Sequence, residues 1–306
     1  MELFNQSSSR FILLGFSTVP YLEVIGFITF LLMYLITLLA NLLLIIVVRF
    51  NLKLHTPMYF FLVNLSFIDI CFSTTVVPKL LYNTLAKDRS VSRLECAVQM
   101  HFHLALGSAE CFILAVMAYD RFAAICKPLH YNTIMSRKIC INLAAVSWTS
   151  SFISSISQVT YTFQMSFCHT RHVNHFFCEL PALLKISCSD TWIHELINYI
   201  MASIIVNLFF LLILISYIHI LVSILKISSS HKRYKALSTC SSHIIVVTFY
   251  YGTIMIQYFR PHSRSSPDID RSISLIYTAV TPMLNPIIYS VRNKDVKETI
   301  RKILHY

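Results

Sequence analysis

The chain has 306 residues, 56% of them hydrophobic and only 13% charged, with a formal net charge of +11. So much apolar side chain with so little charge excludes an ordinary soluble domain and points to an integral membrane protein. The positive charge would suit a nucleic-acid binder if it lay on one soluble face, but its distribution along the chain argues against nucleic acid as a partner.

Near-continuous apolar runs at about 24–48, 58–81, 97–119, 139–162, 196–225, 237–259 and 272–291 each approach or exceed the length a helix needs to cross hydrocarbon. The expectation is an all-α membrane protein: a seven-transmembrane helix bundle with a short amphipathic C-terminal helix. The chain reads as one domain, with residues 1–23 as an extracellular tail, 24–291 as the bundle and 292–306 as a cytoplasmic amphipathic tail. The tail to about residue 22 lacks a basic start, compact apolar core and cleavage site, so the first span is expected to act as its own signal. It carries a glycosylation sequon, Asn5-Gln6-Ser7; Asn64-Leu65-Ser66 matches the same pattern but falls inside span two.

Span four is diluted by Ser147, Ser150, Ser151, Ser154, Ser155 and Ser157, small hydroxyls that suit close helix packing. With the N-terminus outside, the inner segments hold fifteen Lys and Arg against only Asp120, Asp295 and Glu298, while the outer segments are nearly balanced. Excess base marks the cytoplasmic side and favours contact with anionic membrane lipid. In the final segment Val296, Ile300, Ile303 and Leu304 share one face with bases elsewhere, the pattern of a helix lying on the inner leaflet. Cys96, Cys168, Cys178 and Cys188 fall outside, where disulfides persist, and four such cysteines allow three pairings.

Span three ends Met117-Ala118-Tyr119-Asp120-Arg121-Phe122, an adjacent acid and base where the helix leaves the lipid. Charge is costly at mid-membrane, about 2.5–3.5 kcal/mol per residue on insertion scales, and cheaper at the boundary. There the arginine can pair with Asp120 or be released to another partner. Span seven ends Pro282-Met283-Leu284-Asn285-Pro286-Ile287-Ile288-Tyr289. Pro286 removes a helix hydrogen bond and permits a kink, and Asn285 can bond polar neighbours in lipid.

With Asp69 in span two, these blocks resemble the rhodopsin-like (class A) G-protein-coupled receptors. The resemblance is closer to the vertebrate odorant (olfactory) receptors, carried by Leu54-His55-Thr56-Pro57-Met58-Tyr59, the residues 117–126, Lys235-Ala236-Leu237-Ser238-Thr239-Cys240-Ser241-Ser242-His243, and 282–293. These blocks run from the exit of span one to the tail. Two departures stand out: Ala40-Asn41 where the family usually has Gly-Asn, and Phe122-Ala123 where Tyr-Val is common. Phe122 lacks a hydroxyl at the end that would face a G protein.

The resemblance implies an odorant receptor, not an enzyme, that binds small, mostly apolar volatile ligands and activates a heterotrimeric G protein of the stimulatory, olfactory type to raise cyclic AMP. It implies residence in the plasma membrane of olfactory cilia. By the same resemblance Asp120, Arg121, Tyr217, His243, Asn285, Pro286 and Tyr289 form the activation switch. Asn41, Ser66, Asp69 and Glu110 form a polar core, where two acids could hold a sodium ion or share a proton, the alternative being a hydrogen-bonded packing network with no ion; no other cofactor is expected. The family pairing joins Cys96 to Cys178 and Cys168 to Cys188.

The long loop at about 163–195 also offers His169, His172 and His175 at three-residue spacing before Cys178. Such spacing can bind zinc or copper, but a solvated loop whose cysteine is consumed by a disulfide is the preferred reading. At about 100° per residue, His103, Leu104, Gly107 and Ser108 share a face of span three, which by resemblance lines the ligand pocket. Facing candidates are Glu179 and Leu180 from the loop, Asn198, Met201, Ala202 and Ile205 on span five, Tyr251, Ile254, Met255 and Tyr258 on span six, and Leu275 and Thr278 on span seven. No acid occupies the position of His103, which disfavours a biogenic amine.

Overall fold

The computed structural model describes residues 10–15, 20–86, 88–167, 171–188, 190–259, 267–292, 296, 298 and 299. The chain forms a bundle of seven membrane-length helical segments. Six are uninterrupted helices: α1 (Pro20–Phe50), α2 (Pro57–Leu85), α3 (Arg93–Cys126), α5 (Arg137–Thr162), α7 (Trp192–Leu225) and α8 (Ser230–Phe259), with the short α4 (Tyr131–Ile134) and α6 (Leu180–Leu184) in the loops. The seventh is composite: α9 (Pro267–Leu275), a π-helical turn at Ile276–Val280 and α10 (Thr281–Arg292). Among the described residues only the other six are uninterrupted helices long and apolar enough to cross a membrane by length and composition, because the π turn divides the seventh into shorter pieces.

Each helix starts where the sequence supplies the chemistry. Pro57 opens α2, where its missing N–H costs nothing. Ser92 and Glu95 cap each other's backbone N–H at the head of α3.

α3 is the central strut, packed against α2, α5 and α7. The serines of span four explain its contact: Ser147, Ser151 and Ser155 recur every fourth residue, are all buried, and form a thin spine on α5. Ser155 also shares a hydrogen bond with His101 Nδ1 at 2.8 Å. Asn64, inside α2, accepts the indole N–H of Trp148 at 3.1 Å, a use that keeps its side chain within the bundle.

The extracellular face is closed by a small sheet whose order is β2 (Ser90–Ser92), β1 (Arg10–Leu13), β3 (His172–Val173). Within the segment read as an extracellular tail, β1 is the central strand, antiparallel to β2 and parallel to β3. Leu13 and Val173 are fully buried, and Phe11 packs edge-on against Phe167 at 5.4 Å. Gly15 then takes a φ of 71°, a left-handed turn that suits glycine, and its carbonyl accepts a hydrogen bond from Arg271. The Cys96–Cys178 disulfide fastens the long loop to the head of α3 across a Cα separation of 5.4 Å. Cys178 N–H also donates to Gln99 Oε1 at 2.9 Å, a second tie at the same point. Cys168 and Asn5 lie outside the described residues; Cys188 is disulfide-bonded.

Most of the C-terminal amphipathic segment, including Ile300, Ile303 and Leu304, also lies outside the described residues. Val296 is buried, and Asn51 donates to Thr299 Oγ1 at 2.6 Å, which pins this segment beneath the inner end of α1.

Leu13→Ala should lower the stability of the lid by about 2–5 kcal/mol, the range for truncating a fully buried leucine. Amide exchange at residues 90–92 and 172–173 would report the loss; unchanged protection there would mean that β1 does not hold the sheet together.

Candidate functional site

A cavity of about 70 Å³ lies in the outer half of the bundle. α3 supplies His103, Leu104, Gly107, Ser108 and Cys111; α7 supplies Asn198, Ala202, Ile205 and Val206; α8 supplies Tyr250 and Ile254. Phe72 of α2, Gln158 of α5 and Tyr277 of the π turn complete the wall. The four residues placed on one face of span three therefore do share it. Gly107 leaves room: a Cβ there would come within 3.7 Å of the Phe72 ring and 3.8 Å of the Tyr250 hydroxyl.

Some expected lining residues point elsewhere. Met201 and Met255 are half-buried outside the cavity wall, and Leu275 packs against the apolar core. Thr278 donates to the Ser274 carbonyl, and Leu180 sits in the extracellular apolar cluster. The Tyr258 side chain is outside what the structure describes. Tyr250 takes the place expected of Tyr251, whose hydroxyl donates to the Cys111 carbonyl at 3.2 Å. Adjacent helix positions differ by about 100°, so two consecutive tyrosines cannot be told apart without the helix phase. On the seventh segment the π turn shifts that phase and brings in Tyr277, which a plain 3.6-residue period does not predict.

His103 is the distinctive polar group. It is buried, its ring lies 4.9 Å from Phe177 and 5.0 Å from Phe72, and its Nε2 has no hydrogen-bond partner. A buried polar atom left unpaired costs about 1–3 kcal/mol.

Above His103 sits a neutralised acid–imidazole pair. Glu179 accepts from Ser274 and from Tyr277, both at 3.3 Å, so it is tied to the cavity wall through Tyr277 without lining it. His175 Nε2 lies 3.2 Å from Glu179 Oε1 but off the line of a hydrogen bond. Burial pushes the Glu179 carboxyl up to about 8, with Asp270 adding to it against Lys185 and the two hydroxyl donors. Burial, with Arg271, His103 and Lys185 nearby, holds the His175 imidazole down to about 3. His172 is exposed while His175 is buried, so the two do not converge, and His169 lies outside the described residues. Among the described residues no cluster of three or more His, Cys, Asp or Glu is placed to hold a metal ion.

At mid-depth Asn285 Nδ2 donates to both Asp69 oxygens, at 3.0 and 3.2 Å, and to Glu110 Oε1 at 3.3 Å. Asn41 Nδ2 bonds the Thr37 and Pro282 carbonyls, and Ser66 is buried nearby in α2. Glu110 Oε2 and Asn41 Oδ1 have no partner. Pro286 falls inside α10, just beyond this amide.

The inner end is organised by His243. Its Nε2 faces the Leu114 carbonyl at 3.1 Å, which can only accept, so Nε2 carries the proton. Nδ1 must then accept from the Tyr217 hydroxyl at 2.8 Å. One imidazole thus joins α3, α7 and α8. Asp120 accepts from Tyr131 at 2.8 Å, and no Asp120–Arg121 ion pair forms among the described residues. Arg121 Nε and the Tyr289 hydroxyl are buried without partners. Phe122 lies 5.8 Å from the His219 ring, with Lys127 above it.

Seven membrane-length segments, an outer cavity and a polar network running inward define a receptor of the seven-helix class. The olfactory receptor family model matches residues 30–306. The chain is 45% identical to olfactory receptor 5AR1 of Mus musculus over 97% of this chain and 96% of that protein. It is 48% identical to olfactory receptor 2G3 of Homo sapiens over 99% of both. It belongs to the olfactory receptor family: a multi-pass membrane receptor, not an enzyme.

The His175–Glu179 pair predicts a bell-shaped stability profile. From about 3 to 6.5 the unfolded chain takes up a proton at His175 that the folded chain refuses, so stability rises with pH. From 4.5 to about 8 the folded chain keeps a proton on Glu179 that the unfolded chain gives up, so stability falls with pH. The two slopes cancel between 4.5 and 6.5 and leave losses on either side. Thermal melting against pH should show this plateau, and Glu179→Gln should flatten the alkaline limb; a limb that survives the substitution would belong to other groups.

Proposed function

We propose that the chain is an odorant receptor whose outer cavity takes a small, mostly apolar volatile and whose inner face activates a stimulatory G protein of the olfactory type, raising cyclic AMP. The observation that carries the ligand reading is the unpartnered His103 Nε2 in a wall otherwise built mainly of aromatic and aliphatic groups. Such a wall binds by excluding water, and a single polar contact orients the guest. The ligand class that fits is a compact molecule with one oxygen or comparable polar group. The receptor would work in the plasma membrane of olfactory cilia, N-terminus outside and C-terminus inside, with Asn5 glycosylated.

Transmission follows from the way α8 is attached. Tyr250 donates to the Gly107 carbonyl at 2.6 Å, Tyr251 to Cys111 and His243 to Leu114. Tyr250 also lines the cavity, so a ligand that competes for its hydroxyl or occupies the space beside Gly107 weakens the upper rung of this ladder. The lower rung then releases Tyr217, which can turn to Arg121, and α8 swings outward to admit the G protein. The ligand must bind the swung state more tightly for this to work. Asp120, Asn285, Pro286 and Tyr289 complete the switch.

At the polar centre two carboxylates share one amide donor. In low dielectric they need a positive partner, either a shared proton or a sodium ion, and the open oxygens of Glu110 and Asn41 fit a cation. If sodium is the partner, a concentration about ten times its Kd should stabilise the purified receptor by about 1.4 kcal/mol relative to choline, and Asp69→Asn should abolish the difference. Equal melting in the two salts would leave the proton.

Cells expressing the chain should raise cyclic AMP in response to members of a broad volatile panel only when the stimulatory olfactory G protein is present. His103→Ala should weaken the potency of a responding volatile about tenfold at unchanged surface expression, the loss of one hydrogen bond. An unchanged dose response would remove His103 from ligand contact.

A further inference from the structure

We infer that ligands reach the cavity sideways from the outer leaflet, through a gap between α5 and α7 gated by Gln158; this rests on the reading of the cavity as the ligand site. From above, the cavity is sealed. Phe177 is fully buried, its ring lies 4.9 Å from that of His103, and it adjoins the disulfide-bonded Cys178, which packs in the buried extracellular cluster with Leu183, Leu13 and Val173. The lid is held by backbone pairing on both sides of β1 and by the Arg271 contact to Gly15.

The wall facing α5 and α7 is different. Phe72, His103, Tyr250 and Tyr277 are buried, whereas Leu104, Ser108, Gln158, Asn198 and Ala202 are half-exposed. Exposure within one cavity wall marks the side on which it opens. α5 and α7 both pack along α3, their backbones rarely approach each other closely among the described residues, and both contribute side chains to the cavity wall, so the proposed opening is a slot between them. In a membrane that slot faces lipid, not water.

The residues at the slot match that location. Gln158 lies four positions before the outer end of α5 and Asn198 six positions after the start of α7, about 6 and 9 Å along their helices. Two amides near the headgroup boundary suit molecules that rest there with a polar end at the interface and an apolar body in the lipid. Each methylene favours the lipid about fourfold. A lateral route therefore concentrates amphiphilic volatiles before binding and selects against molecules that stay in water.

The test uses receptor in phosphatidylcholine nanodiscs and a small, apolar, photoreactive probe, trifluoromethyl-iodophenyl-diazirine, delivered from phosphatidylcholine vesicles and flashed at increasing delays. Labelling of Cys111 and Tyr250 in the cavity is read by mass spectrometry against Leu39 on the outer face of α1. Gln158→Trp should slow cavity labelling about tenfold while reaching the same plateau, within the range over which on-rates vary among variants of one site. Gln158→Ala should be no slower than wild type, and Phe11→Ala, which loosens the lid, should leave the rate unchanged. A Gln158→Trp rate within about twofold of wild type, or faster labelling in Phe11→Ala, overturns the lateral route. A lower plateau at unchanged rate overturns it too, since the indole then fills the cavity and not its opening. Labelling needs no signalling, so a missing cyclic AMP response would count against the receptor reading and leave this result standing.

Discussion

The structure depends on three side chains of α8 that hang on the backbone of α3. Tyr250, Tyr251 and His243 bond the carbonyls of Gly107, Cys111 and Leu114, at 2.6, 3.2 and 3.1 Å. In lipid there is no hydrophobic driving force to hold one apolar helix against another, so packing and hydrogen bonds must do it. A helix carbonyl retains a second lone pair after its intrahelical bond, and these side chains use it. α8 is therefore attached along one line, with its upper rung in the cavity and its lower rung at the inner face.

That single line explains why the three polar regions form one system. The cavity shares Tyr250 with the ladder, and the inner end shares His243, which also fixes Tyr217 of α7. The buried but unpartnered Arg121 Nε and Tyr289 hydroxyl sit beside it. Between the two ends, Asn285 holds Asp69 and Glu110 together and keeps α2, α3 and α10 in register.

Much of this was legible in the sequence because the bilayer sets a strict rule of length. Seven apolar runs gave seven segments, and the serines of span four were correctly compatible with a packed helix. That His103, Leu104, Gly107 and Ser108 share a face of α3 followed from its period, whereas the resemblance was needed to assign that face to the cavity. What the sequence hid were contacts between distant parts. The four residues of β1 find partners some eighty and one hundred and sixty positions away, and nothing local marks them as a strand. Of the two states read for Asp120-Arg121, paired or released, the structure shows the released one, and Tyr131 in the following loop bonds Asp120, a partner that the sequence did not indicate. Tyr217, which the resemblance implies for the activation switch, is held by His243 in this structure, a contact that no local pattern announces. The choice of Tyr250 over Tyr251 depends on the phase of α8, and the inward turn of Tyr277 on the π turn of the seventh segment, neither of which carries a sequence signal.

The most direct test of the ladder is the distance between the inner loop and the inner end of α8. Spin-labelled noncanonical residues at the exposed positions Leu129 and Tyr234 would report it by pulsed electron resonance without using the native cysteines. In ligand-free receptor, His243→Ala should lengthen the main distance by roughly 5 Å, the scale of a one-turn helix displacement. An unchanged distance in a variant that still folds would show that α8 does not hang on α3 through His243.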